Sequence, residues 1–208
     1  MTRAPRKAVG RTRAGPVLRR LRAAFVGDPR SDLLTHLPKG SVGAEIGVWR
    51  GDFSARLLRV VRPARLHLVD PWNFEPAAAY EHAWYGGAVA KNQAEMDSVY
   101  ESVLRRFADE IEAGTVRVHR GPSARIGVLF DDAYFDWVYI DGNHLYEYVK
   151  SDLEVFARKV KPGGLIAGDD YGVRGWWEDG VTRAVDEFVA HGTCEPARLD
   201  GQFVLRRL

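Results

Sequence analysis

Short apolar segments alternate with longer amphipathic segments along most of this chain. The apolar segments have the composition of buried parallel strands. They span residues 42–48, 65–70, 115–121, 135–142 and 163–170. Between them, apolar residues recur three and four positions apart, as at Val149, Leu153 and Phe156, which is typical of helices with one buried face. This alternation predicts right-handed crossovers and an open, doubly wound α/β sheet.

The end of the chain follows a different pattern. Asp200 and Gly201 separate two strand-like segments, and an Asp-Gly pair in that position is typical of a tight hairpin. We therefore predict a Rossmann-like α/β fold whose mostly parallel sheet is closed by a C-terminal antiparallel hairpin. A length of 208 residues fits one hydrophobic core better than two.

Charge is distributed unevenly along the chain. Eight of the 30 basic residues precede Asp28, which is the first of the 28 acidic residues, so the remainder of the chain carries a net charge of −6. We predict a basic N-terminal arm over residues 1–27 and a single domain over 28–208. Such an arm is compatible with binding to nucleic acid or an anionic membrane surface. We favour the alternative of a flexible, solubilising leader and expect neither nucleic acid nor membrane as a partner.

Several classes of protein are disfavoured by composition. Cys194 is the only cysteine, so no intrachain disulfide can form and a cysteine-based metal site finds no support. No apolar stretch reaches the roughly 18 residues that a membrane span requires. We expect a cytoplasmic protein, and a homo-oligomer is compatible with this sequence.

Polar and small residues follow the first two predicted strands. The sequence EIGVWRG places Glu45, Gly47 and Gly51 at the first strand end, and Asp70 ends the second strand. In a doubly wound sheet, ligands bind beyond these carboxyl ends, where an acid can accept hydrogen bonds from ribose hydroxyls. Trp49 crowds the turn in which a pyrophosphate would need close contact with the backbone. We therefore expect a nucleoside cofactor without a pyrophosphate.

Three further segments carry a family resemblance. VYIDGNH, KVKPGGLIAGDDY and GVTRAVDEFV follow EIGVWRG in this order. Together they resemble the class I S-adenosylmethionine-dependent methyltransferases, in particular a small bacterial group related to macrolide-sugar and aminocoumarin-sugar O-methyltransferases. The resemblance implies that S-adenosylmethionine is the cofactor. It assigns the methionine end of the cofactor to Glu45, Gly47 and Gly51, the ribose to Asp70, and the adenine to the neighbourhood of Ser123. An alternative role for Ser123 is that of a helix N-cap.

Acidic residues end the fourth and fifth predicted strands. Asp141 follows one strand, and Asp169 and Asp170 end the other, so we expect all three carboxylates to lie close together. Neighbouring buried carboxylates repel one another unless a cation joins them, and Mg²⁺ prefers such oxygen ligands. The resemblance likewise implies that these three residues bind Mg²⁺. The alternative is that Asp169 and Asp170 form a solvated turn.

His144 lies three residues after Asp141. An imidazole titrates near pH ~6.5 and can accept a proton at neutral pH. We predict that His144 takes the proton of a substrate hydroxyl that then attacks the sulfonium methyl group. Two alternatives remain: His144 caps a helix or bonds to the backbone, or Asp141 is itself the base.

An aromatic segment, residues 71–91, follows the second strand. Its rings could form a lid over a sugar or aromatic substrate, with Trp176 and Trp177 as the facing wall; packing on the outer helices is the alternative. We thus predict a Mg²⁺-assisted O-methyltransferase that acts on a small hydroxylated molecule such as a sugar or glycosylated natural product. The alternatives are an RNA-binding methyltransferase that uses the basic arm, and a hydroxylase-like or non-catalytic relative.

Overall fold

The computed structural model describes residues 29–208. The predicted basic arm, residues 1–27, lies outside the described residues. The strands within the described part are β1 (Val42–Ile46), β2 (Arg65–Asp70), β3 (Val116–Arg120), β4 (Phe135–Ile140), β5 (Val160–Tyr171), β6 (Cys194–Leu199) and β7 (Gly201–Arg207). Its helices are α1 (Pro29–His36), α2 (Asp52–Val60), α3 (Gln93–Arg106), α4 (Ala108–Glu112), α5 (Ser123–Gly127), α6 (Tyr146–Lys159) and α7 (Gly180–Ala190).

The seven strands form one sheet in the order β3-β2-β1-β4-β5-β7-β6. Strands β1 to β5 pair in parallel, whereas β7 runs antiparallel to both β5 and β6. The predicted fold is thereby confirmed, including the hairpin, whose turn contains Asp200 and whose second strand begins at Gly201 with φ 70°. The strand order reverses between β1 and β4, and the crevice at such a switch point is where ligands bind in open α/β sheets.

Each face of the sheet is covered by its own apolar layer. In β4, Trp137 and Tyr139 enter the layer that contains α2 and α3, while Val138 and Ile140 enter the layer that contains α6 and α7. This separation follows from the two-residue period of a strand. Because both faces are buried, the inner strands are mostly apolar, with Glu45 and Asp70 among the buried exceptions.

Helix α1 belongs to the first of these layers. Its Leu33 and Leu34, together with Leu37 just beyond its end, are buried against the core. The N-terminal part of the described chain is therefore fixed on the domain by a hydrophobic contact.

The aromatic segment, residues 71–91, is largely irregular and contains two short 3₁₀ turns, Ala78–Tyr80 and Trp84–Gly86. Trp72 is fully buried and donates its indole N–H to the carbonyl oxygen of Trp49 at 2.9 Å. This bond ties the start of the segment to the loop after β1. Within residues 29–208, no helix is long and apolar enough to cross a membrane.

Candidate active site

The loop that follows β1 has a left-handed backbone at three positions. Gly47, Trp49 and Gly51 have φ values of 90°, 54° and 77°. A β-carbon at Gly47 would lie 2.1 Å from the carbonyl oxygen of Asp141, and one at Gly51 would lie 2.6 Å from the ring of Phe107. Glycine is therefore required at 47 and 51 both by backbone conformation and by space.

Asp70, at the end of β2, fixes this loop. Its Oδ2 accepts hydrogen bonds from the backbone N–H groups of Val48 (2.8 Å) and Trp49 (3.0 Å), and its Oδ1 accepts from that of Trp72 (2.7 Å). The hydroxyl of Tyr85 also donates to Oδ2, at 2.5 Å. Burial raises the pKa of Asp70, although these hydrogen bonds oppose the shift. Its predicted role in binding ribose stays a prediction.

Glu45 lies inside β1 and beneath the loop. It is fully buried, and its Oε2 accepts the hydroxyl hydrogen of Ser54 at 2.5 Å. Burial raises the pKa of Glu45 well above its ordinary value, and the charges of Asp141 and Asp70 add to this effect.

Ser123 is the first residue of α5. The N-cap of that helix is Pro122, without a side-chain cap, so the alternative of an N-capping Ser123 is wrong. The hydroxyl of Ser123 instead donates to Oδ1 of Asp152 at 2.5 Å. Burial raises the pKa of Asp152 to about 7. A β-carbon at Gly142 would lie 3.8 Å from this carboxyl group, so Ser123 is connected through Asp152 to the end of β4.

The acid cluster comprises Asp141, His144, Asp169 and Asp170. Nε2 of His144 lies 3.3 Å from Oδ1 of Asp141 and 3.2 Å from Oδ2 of Asp170. Asp169 and Asp170 belong to β5, and their side chains are only 16% and 24% exposed. They therefore do not form a solvated turn. Helix α6 has Leu145 as its N-cap, so His144 does not cap it.

Burial and charge interactions together determine the pKa values of His144 and Asp170 in the acid cluster. Burial alone would lower the pKa of His144, but the hydrogen bond to Asp141 and the charges of the carboxylates outweigh it, so this pKa is raised. Burial raises the pKa of Asp170, repulsion from Asp169 and Asp141 adds to the shift, and His144 opposes it. A proton is thus retained at this end of the sheet more readily than in water.

Arg30 enters the same site from α1. Its Nη2 lies 3.0 Å from Oδ2 of Asp141, and its Nε donates to Oδ2 of Asp169 at 2.7 Å. Burial disfavours the charge on Arg30, but Asp141, Tyr139 and Asp169 together raise its pKa, so the guanidinium stays protonated. This residue was not predicted from the sequence, because nothing local distinguishes it from the arginines that precede it.

The predicted set of metal ligands is divided by Arg30. Donor atoms of Asp141, His144 and Asp170 lie within 4.8 Å of one another, which is close enough for one cation. Asp169 instead accepts a hydrogen bond from Arg30 and a longer one, at 3.4 Å, from the side-chain amide of Gln202. Part of the cluster can therefore hold a cation, with an imidazole in the place of the third predicted carboxylate.

Two buried polar atoms near the cluster have no hydrogen-bond partner within residues 29–208. They are Nε1 of Trp177 and Oε1 of Gln202. The ring of Trp177 lies 4.6 Å from that of His144, and Gln202 contacts Asp169. Buried groups of this kind are ordinarily satisfied by water or a ligand.

The aromatic segment reaches both the loop and the facing wall. The centres of the Trp84 and Tyr85 rings lie 5.6 and 5.0 Å from the centre of the Trp49 ring. On the other side, Tyr80 lies 5.6 Å from Trp176. The structure thus brings together the predicted lid and wall, and their role in substrate binding stays a prediction.

A family model described as a methyltransferase domain matches residues 44–171. The chain belongs to this methyltransferase family. The match covers the loop after β1, Asp70, Ser123 and the acid cluster, and family membership makes the chain an S-adenosylmethionine-dependent methyltransferase. No curated protein sequence matches the chain.

Solved structures of methyltransferases share the fold of this enzyme. A candidate caffeoyl-CoA O-methyltransferase from Staphylococcus aureus is 15% identical, with a TM-score of 0.61 over 92% of this chain and 91% of that one. The 1,6-didemethyltoxoflavin-N1-methyltransferase of Burkholderia thailandensis, with bound 1,6-didemethyltoxoflavin and S-adenosylhomocysteine, is 16% identical, with a TM-score of 0.56 over 96% of this chain and 93% of that one. At these identities the likeness extends to the fold alone.

Proposed function

We propose that this enzyme transfers a methyl group from S-adenosylmethionine to a hydroxyl group of a small molecule. The observation that carries the proposal is the contact between the loop after β1 and the acid cluster. Gly47 abuts the carbonyl of Asp141, whose side chain lies 3.3 Å from His144. A cofactor held by this loop would have its methyl group next to an imidazole–carboxylate pair.

The residues of the loop fit such a cofactor. Gly47 and Gly51 let the loop pack closely against Asp141 and Phe107, where a side chain would clash, and Asp70 fixes the loop through two backbone N–H groups. We propose that Gly47 and Gly51 shape the site for the methionine end, with Glu45 beneath them. Asp70 and Ser123 would serve the ribose and adenine ends, as the family resemblance implies.

The proposed base is His144. Both carboxylate oxygens of Asp141 are engaged, Oδ1 with His144 and Oδ2 with Arg30. Since Nε2 of His144 faces the carboxylates, its hydrogen is assigned there, which leaves Nδ1 to accept a proton. Next to the positive sulfonium of a bound cofactor, the pKa of His144 would fall, and more of its imidazole would be in the neutral form that can accept a proton.

The proposed reaction is a direct transfer. Bound S-adenosylmethionine supplies the methyl group: a carbon–oxygen bond to the acceptor forms as the carbon–sulfur bond breaks, and S-adenosylhomocysteine and a methyl ether result. His144 holds the proton that the hydroxyl loses. General-base assistance of this kind contributes roughly 10²–10⁴-fold to a rate.

A divalent cation remains part of the proposal. Asp141 and Asp170 would hold it, with His144 as a third donor, and when bound it would make the acceptor hydroxyl more acidic. An imidazole among the donors suits Mn²⁺ or another transition metal as well as Mg²⁺. Nε2 of His144 cannot coordinate a metal ion and donate a hydrogen bond to Asp141 at the same time. A reaction rate that depends on added metal would favour the first state, and a rate that does not would favour the second.

The surroundings of the cluster favour a polar acceptor with a flat or ring-shaped body. Trp176 and Trp177 offer aromatic surfaces, and Nε1 of Trp177 and Oε1 of Gln202 are buried polar atoms without a partner among the described residues. Sugars, glycosides and phenols combine hydroxyl groups with such a body. We therefore propose a small hydroxylated acceptor, such as a sugar or glycosylated natural product.

The test is an acceptor screen with methyl-labelled S-adenosylmethionine and the full chain. Sugars, glycosides, phenols and, for comparison, heterocyclic amines are incubated with the enzyme, and labelled product and S-adenosylhomocysteine are quantified. We expect labelled methyl ethers, with a rate that falls at least tenfold in His144→Gln while the affinity for S-adenosylhomocysteine is unchanged.

Two results would contradict the proposal. If only amines are methylated, as the name of the Burkholderia enzyme indicates for that protein, the acceptor class is wrong. If His144→Gln methylates hydroxyl acceptors at the wild-type rate and Asp141→Asn does not, the base is Asp141.

A further inference from the structure

The acid cluster needs positive charge to hold its carboxylates together. Asp141, Asp169 and Asp170 all approach one another at the ends of β4 and β5, and their side chains are mostly buried. Like charges in such a setting destabilise one another unless a cation lies between them. Divalent cations with oxygen ligands commonly meet this need in proteins.

Arg30 already occupies one half of the cluster. Its guanidinium joins Asp141 to Asp169: Nη2 contacts both carboxylates, and Nε donates to Asp169 at 2.7 Å. The planar fork of arginine suits this bridging of two carboxylates, and its charge is permanent. The same guanidinium lies 5.6 Å from the centre of the Phe53 ring, which adds a cation–π contact.

The position of Arg30 is set by contacts of α1 along its length. Leu33 and Leu34 are buried in the core. Asp32 pairs with Arg198 of β6 at 2.7 Å, and the hydroxyl of Ser31 accepts from Arg56 of α2 at 2.7 Å. Arg30 is therefore presented by an anchored helix, and not by a loose chain end.

We propose that Arg30 is a built-in cation of the acid cluster, which takes the place of a divalent ion between Asp141 and Asp169 and restricts metal binding. In this account Asp169 serves as the partner of Arg30 and not as a metal ligand. Arg30 acts as a positioning residue, because it holds one oxygen of Asp141 and leaves the other facing His144. The inference concerns the site of the proposed function, but its test requires no turnover.

The experiment is calorimetric titration of Mn²⁺ into the full chain, compared among wild type, Arg30→Met and Arg30→Gln. Both variants remove the charge, and Gln keeps a hydrogen-bonding group should Met impair folding. We expect each to bind Mn²⁺ at least tenfold more tightly than wild type. The gain in affinity should disappear when Asp169→Asn is combined with either variant, because Mn²⁺ in the place of the Arg30 guanidinium would need the Asp169 carboxylate as a ligand.

Arg198→Met is the matched control, because it removes an ion pair of α1 outside the cluster. Its affinity for Mn²⁺ should equal that of wild type. The proposal is overturned if neither variant at position 30 gains affinity, or if Arg198→Met gains as much as they do. Binding of S-adenosylhomocysteine, measured on the same samples, tests the proposed function separately. If the wild-type protein does not bind S-adenosylhomocysteine, the proposed function is wrong, but the comparison of Mn²⁺ affinities still tests the role of Arg30.

Discussion

The backbone of Gly47 lies in direct contact with the backbone of Asp141. A β-carbon on Gly47 would approach the carbonyl oxygen of Asp141 to 2.1 Å. Parallel pairing of β1 with β4 brings the two residues together, because each follows the last paired residue of its strand, Ile46 or Ile140. The proposed cofactor loop and the acid cluster are therefore in direct contact.

Substitution of Gly47 by Ala should damage both folding and cofactor binding. The new β-carbon must displace the chain at Asp141, and φ is 90°. Together these effects should cost about 2–4 kcal/mol of unfolding free energy, measured by urea denaturation. The affinity for S-adenosylhomocysteine should fall at least tenfold.

Gly40→Ala is the control for this substitution. Gly40 also has a positive φ, 65°, but a β-carbon there would meet no atom within 4 Å. We expect a loss of about 1–2 kcal/mol and wild-type cofactor affinity. Equal cofactor affinity in Gly47→Ala and Gly40→Ala would show that the contact with Asp141 does not shape the cofactor site.

Substitution of Tyr85 by Phe should weaken the attachment of the aromatic segment. The Tyr85 hydroxyl donates to the buried carboxylate of Asp70, and burial raises the pKa of Tyr85 well above its ordinary value, so it remains a donor. Loss of a hydrogen bond to a charged group should cost about 1.5–3 kcal/mol, measured by chemical denaturation. Tyr171→Phe removes a similar bond, to the exposed Asp186, and should cost less than about 0.5 kcal/mol; equal losses would contradict this account.

The pKa of Asp152 predicts a pH dependence of stability. Burial raises this pKa from its usual 3.8 to about 7. The resulting stabilisation is fully present below the unfolded pKa and is lost as the pH rises through the folded value. Between pH 5 and pH 8, wild type should lose about 3 kcal/mol from this group, whereas Asp152→Asn should not.

The measurement is urea denaturation of both proteins at several pH values. The stability of Asp152→Asn relative to wild type should rise with pH up to about 7 and then level off. Asn can still accept the hydrogen bond from Ser123, so packing changes little. A difference that does not vary with pH would mean that Asp152 titrates normally.

The sequence was sufficient to predict the sheet and to place the candidate site residues at one edge of it. Each inner strand is a short apolar segment, and the site lies at the ends of these strands because parallel strands share one carboxyl edge. The proximity of His144 to Asp141 follows from a separation of three residues. The end of β5 was also anticipated, although this strand begins at Val160, three residues earlier than its apolar segment suggests.

Contacts between distant parts of the chain could not be predicted from local patterns. Arg30 and Asp169 are 139 residues apart, and only the docking of α1 on the sheet brings them together. The hydroxyl of Tyr85 reaches Asp70 through an irregular segment. For Ser123 the local signal suggested an N-cap, but tertiary contact with Asp152 prevailed.

The most direct test of the proposed active site is to observe His144 itself by NMR, with histidine labelled at ¹³Cε1 and the resonance assigned by its loss in His144→Gln. If the sulfonium lies next to His144, as we propose, S-adenosylmethionine should shift this resonance towards that of neutral imidazole. S-adenosylhomocysteine, which has no positive sulfur, should shift it much less. If calorimetry shows that both ligands bind and neither moves the His144 resonance, the acid cluster does not face the methyl donor, and the proposed active site is wrong.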